Sequence, residues 1–81
     1  MLHIGKDAMV PLKDVILILD YKEAMRSDDT HGFLKKLGDN AHHMYLDELN
    51  IKSVVVARFL EKYFIYYSPI SSGTLFKRSK I

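Results

Sequence analysis

Apolar residues along the 81-residue chain fall into short runs rich in β-branched and aromatic side chains, separated by polar clusters of the turn-forming kind. "LHI" and "AMVPL" flank Gly5-Lys6-Asp7, a pattern that predicts a short hairpin whose second strand ends, or lies at an edge, by Pro11. In "DVILILD", Asp14 and Asp20 bracket an unbroken apolar run from Val15 to Leu19. Such a run predicts a strand buried on both faces. "KSVVVARFLEKYFIYYS" holds two further β-rich runs, Ser53 to Ala57 and Tyr63 to Tyr67, joined by a short segment with Arg58, Glu61 and Lys62. It reads as an antiparallel hairpin.

The pattern changes over residues 27–38. Asp28 and Asp29 suit a helix N-terminus, Lys35 and Lys36 its C-terminus, and Gly38 a left-handed stop. Phe33, Leu34 and Leu37 form one apolar stripe that lays this helix on the sheet, while Gly32 weakens it by roughly 1 kcal/mol relative to alanine. "DNAHHMYLDELN" reads as a polar loop with one short strand around Met44 to Leu46. Beyond Pro69, Ser71 or Ser72 can cap a last helix over "GTLFKRSK", with Leu75 and Phe76 inward and the basic residues at its C-terminal end.

The expected architecture is a single α+β domain over residues 1–81: a small, mainly antiparallel sheet of five or six short strands, one central short helix and a short C-terminal helix. At least three strands are apolar on both faces, and two short helices cover little more than one face. The surplus predicts a homo-oligomer.

Composition narrows the function. With no cysteine, disulfide frameworks and thiolate metal sites are excluded, in keeping with a reducing cytoplasm. No apolar run approaches about 18 residues and no leader pattern opens the chain, so a soluble cytoplasmic protein without membrane contact is expected. The net charge of +2 is unevenly spread: nine basic residues meet ten acidic ones up to Ile70, then Lys77, Arg78 and Lys80 follow with no acid. This basic end suits both a helix C-terminus and phosphate contact.

Candidate chemistry is sparse. Adjacent His42 and His43 would point to opposite faces of a strand, and His3 and His31 are distant, so no metal site is expected. The carboxylates each suit a strand flank, a helix start or a loop, and Ser71, Ser72 and Thr74 suit capping. No glycine-rich phosphate loop or nucleophile elbow occurs. The expectation is no enzyme, no cofactor and no small-molecule substrate. Alternation puts Tyr63, Ile65 and Tyr67 on one strand face and Phe64, Tyr66 and Ser68 on the other. Neither face has the aromatic-plus-basic pattern of a single-strand reader, so core or subunit interface is expected.

"HIG", "VILILD" followed by "YKEAM", "KSVVV" and above all "IYYSPISSGTLFKR" resemble the extracellular matrix regulatory protein family, RemA and RemB, and within it the RemB branch. The resemblance runs nearly end to end and is weakest over residues 38–50. It implies a small cytoplasmic bacterial regulator of biofilm matrix gene expression. From the RemA branch it implies a DNA-binding ring with arginines arrayed subunit by subunit. The basic residues that RemA-like proteins place ahead of the valine strand fall here on "LNIK", where only Lys52 is basic, and another DNA-contacting arginine falls at Asp14, beside Lys13. The function expected from the resemblance is a transcriptional regulator that binds double-stranded DNA as a ring-like homo-oligomer through Lys13 and Lys52, with Lys77 and Arg78 as further contacts. The departures from the family pattern sustain a second expectation: an oligomeric protein-interaction module that modulates another regulator without binding DNA itself.

Overall fold

The computed structural model describes residues 1–38 and 41–79. At the N-terminus, β1 (Leu2–Gly5) and β2 (Ala8–Val10) pair antiparallel as the expected hairpin. The chain reverses there through Gly5 at φ 135° and Lys6 at φ 47°. Pro11 then leads into a 3-10 helix over Leu12–Asp14.

Four strands form a separate sheet: β3 (Val15–Asp20), β4 (Ala41–Tyr45), β5 (Ser53–Phe59) and β6 (Lys62–Ser68), in the order β3-β5-β6-β4. The β5–β6 hairpin is the expected one, lengthened at its turn until only Leu60 and Glu61 remain between the strands. Both adopt positive φ, 51° and 65°, as a two-residue turn matched to strand twist requires. β4 runs parallel to β6, whereas the other pairings are antiparallel.

Three helices complete the fold: α1 (Tyr21–Arg26), α2 (Asp28–Gly38) and α3 (Ser72–Ser79). Each begins on a side-chain acceptor that satisfies a free amide. The Asp20 carboxylate accepts from the Glu23 amide at 3.1 Å, the Ser27 hydroxyl from Thr30 at 3.2 Å, and the Ser71 hydroxyl from Thr74 at 3.3 Å.

The two sheet faces carry separate cores. On one, Leu2, Ile4, Val10 and Leu75 pack on Ile18, Val55 and Ala57; on the other, Ala24 and Leu34 pack on Val54, Val56, Ile65 and Tyr67. The β1–β2 hairpin and α3 thus cover the first face, and α1 and α2 the second. Two buried serines tie the layers together. The Ser68 hydroxyl donates to the Ile4 carbonyl and accepts from the Ile70 amide at 3.0 Å, and the Ser53 hydroxyl donates to the Ile70 carbonyl at 2.7 Å.

Several expectations are corrected. Among the described residues, six short strands are present, but they divide between two sheets, and three short helices accompany them rather than two. The extra helix, α1, arises because Asp20 closes β3 and caps the next segment at once. β3 is not buried on both faces: it is an edge strand, and Ile16 is 48% exposed. β4 starts at Ala41, earlier than the strand expected around Met44 to Leu46. Phe33 and Phe76 point outward, and only Leu34 and Leu75 of their stripes are fully buried. Both faces of the central strands are covered within one copy, so the argument for an oligomer from uncovered faces loses its premise. Lys80 lies outside the described residues.

Candidate interaction surfaces

Edge strand β4 has the sequence Ala-His-His-Met-Tyr, and every residue from His42 to Tyr45 is exposed. Alternation sends His42 and Met44 to the face of β1–β2 and α3, and His43 and Tyr45 to the face of α1 and α2. The expected divergence of the two histidines is therefore present. His42 stacks on Phe64 with ring centroids 5.1 Å apart, and Phe64 continues to Tyr66 at 6.5 Å. Phe64 and Tyr66 line a depression of about 210 Å³ with Met9, Asp14, Ala57 and Phe59. On the opposite face, the His43 ring nitrogen Nδ1 and the Tyr67 hydroxyl form a hydrogen bond of 2.9 Å, and Tyr45 stacks on Tyr67 at 4.2 Å and 5°.

These contacts shape the tyrosines' acidity. Burial, with the neighbouring Tyr45 and Tyr21 phenols adding to it, pushes Tyr67 up from the ordinary value near 10 to about 12. Burial, then the Asp14 carboxylate, raises Tyr66 as well. A phenol whose folded pKa exceeds its unfolded one stabilises the fold fully below the unfolded value and loses that contribution as pH rises through the folded value. In a spectrophotometric titration, Tyr67 is expected to ionise last, with stability falling between about pH 10 and 12. Simultaneous ionisation of all tyrosines, without change in the unfolding midpoint across that window, would contradict the arrangement.

At the other edge of the sheet, Leu12, Val15, Ile16, Leu17, Ile18, Phe76 and Ser79 line an apolar depression of about 280 Å³ beside β3. Ile16 and Phe76 are each 48% exposed. Neither β3 nor β4 carries a lysine or a proline, residues that commonly keep edge strands unpaired.

The basic candidates are dispersed. Lys13 is exposed in the 3-10 helix ahead of β3, whereas Lys52 is exposed just before β5, where its carbonyl accepts from the Tyr21 amide at 3.0 Å. Because Asp20 pairs with Ser53 and Val15 with Ala57, the two lysines flank opposite ends of β3, roughly 17 Å from Val15 to Asp20 at the usual strand rise. Lys77 and Arg78 are exposed in the last turn of α3. The Arg78 guanidinium donates to the His3 carbonyl at 3.1 Å, which gives it a role in holding α3 to β1. Among the described residues, no group of three or more histidine or carboxylate side chains is placed to hold a metal, and no helix is long and apolar enough to cross a membrane.

Comparison with known proteins gives one substantial likeness. The chain is 38% identical over 81 residues to extracellular matrix regulatory protein B of Bacillus subtilis (strain 168), covering 98% of this chain and 89% of the relative. That relative is named for regulation and not for a reaction, in agreement with the expectation of no enzyme. No family model and no solved structure matches the chain.

Proposed function

The chain belongs to the extracellular matrix regulatory protein family, in the line of its B member, and from that premise we propose that it is a protein-interaction module that assembles head to tail and modulates another regulator. The observation that carries this reading is the pair of open sheet edges. β4 exposes Met44 at one end of the sheet, and β3 exposes Ile16 beside an apolar depression at the other. Unlike edges on opposite sides of one subunit suit a heterologous contact, which closes into a ring or runs on as a filament. The aromatic strip of Phe64, Tyr66 and His42 stays free on such an assembly for a partner protein.

A second reading, contact with duplex DNA, is supported by one placement. Phe76 and Ser79 of α3 line the β3 depression together with Leu12, the neighbour of Lys13, so Lys77 and Arg78 stand on the helix that packs beside the Lys13 segment. Lys52, at the opposite end, does not join them. Gel shifts of the assembled protein discriminate the readings. The module reading expects no retained DNA at physiological salt and capture of a regulator protein by the wild type. DNA reading expects a shift that weakens steeply with salt and is lost in Lys13→Ala/Lys77→Ala. That second outcome would overturn the module reading.

A further inference from the structure

Between α1, α2 and β4 lies a cleft of about 540 Å³ lined by Tyr21, Met25, His31, Leu34, Lys35, His43, Tyr45 and Tyr67. Its size falls within the roughly 300–1,000 Å³ of small-molecule sites, which pair a mainly apolar wall with a few convergent polar groups. Among the described residues, no carboxylate lines it, whereas one lysine and two histidines do. His31 and Lys35 are four residues apart on α2 and so face the same way. Across from them, the tight Tyr45–Tyr67 stack is anchored by the hydrogen bond between Tyr67 and His43, and Tyr45 is still 52% exposed. A held aromatic ring with an open side is a stacking platform.

We infer that this cleft binds a planar heterocycle bearing a phosphate, of the class of a free nucleoside monophosphate. The ring stacks on Tyr45, and the phosphate meets Lys35 and His31. Each half of the site has its own selectivity: the platform accepts any flat π-face, and the Lys35 ammonium, with the His31 ring as a hydrogen-bond partner, selects an anion. This inference goes beyond the proposed assembly and does not rest on it, because every side chain that meets the ligand comes from α2 and β4 of one chain, and Tyr45 lies on the sheet face opposite Met44.

Isothermal titration calorimetry of the full chain with AMP tests it. Saturable binding with one AMP per chain is expected, about tenfold weaker in Tyr45→Ala and preserved in Tyr45→Phe. Lys35→Gln, an exposed position where folding is not at stake, is expected to lower AMP affinity while leaving the weaker binding of adenosine unchanged. Inorganic phosphate alone is expected to bind at least about tenfold more weakly than AMP. Three results would each overturn the inference: no AMP binding up to about 10 mM, equal affinity in Tyr45→Ala and wild type, or phosphate as tight as AMP. Binding of a single-stranded oligonucleotide without binding of AMP would overturn it too, since the occupant would then be nucleic acid.

Discussion

Gly5→Ala is expected to destabilise the protein by about 3 kcal/mol, read as a lowered urea midpoint. Two causes add. Gly5 has φ 135°, a conformation that residues with a Cβ rarely adopt, at a cost of about 1–3 kcal/mol. A Cβ there would also lie 2.9 Å from Cδ and 3.2 Å from Cγ of Pro69 and meet the Leu46 side chain at 3.5 Å. The proline ring is part of the chain's link between β6 and α3 and has little freedom to retreat. For a chain of this length, total stability is of the order of 4–12 kcal/mol, so the loss is a large share. Gly32→Ala and Gly73→Ala are the matched controls: both sit in helices, and nothing beyond the chain neighbours and the helix's own backbone lies within 4 Å of either added methyl. Each is expected to be neutral or stabilising by up to about 1 kcal/mol. Gly5→Ala with an unchanged midpoint would show that the β1–β2 hairpin is not locked against Pro69.

The second large effect concerns assembly. Met44→Asp on β4 and Ile16→Asp on β3 each place a charge on one open edge, at side chains already 44% and 48% exposed, so the fold is expected to survive. Each variant alone should sediment as a monomer because every head-to-tail contact needs both edges. Mixed, they should form a dimer and nothing larger: the intact β4 of the Ile16→Asp chain meets the intact β3 of the Met44→Asp chain, and the two remaining edges are blocked. A self-complementary contact through β4 alone would leave Ile16→Asp fully assembled. That result would replace the ring with a two-fold dimer.

Much of the fold was legible because its signals are local. Gly5-Lys6-Asp7 marks the first hairpin, the charges from Asp28 to Lys36 mark α2, and Ser71 marks the start of α3. α1 also had a local signal, Asp20 three residues ahead of Glu23, which is the spacing of a capping box. That signal is ambiguous, because Asp20 also serves as the end of a strand. β4 was harder to read, since its histidines break the apolar pattern and its parallel partner β6 lies on the far side of β5 in the chain.

Burial was less legible than element type. An unbroken apolar run predicts two covered faces, yet β3 meets its neighbours as an edge, and nothing within "VILILD" distinguishes the two. The surfaces depend on pairs far apart in sequence, such as His43 with Tyr67 and Phe76 with Ile16. Within the basic tail, the most conspicuous sequence feature, Arg78 stays exposed yet bonds to the His3 carbonyl of β1. Sequence reasoning therefore gives weight to scattered charges, and weighs His43 and Tyr67 separately without bringing them together with Tyr45.

Sedimentation of the wild-type protein at micromolar concentration, alone and with duplex DNA at physiological salt, tests the central claim most directly. The account predicts a discrete species of several subunits that forms without DNA and sediments unchanged when DNA is added. A stable, compact monomer, or an oligomer that carries the DNA with it, would contradict it.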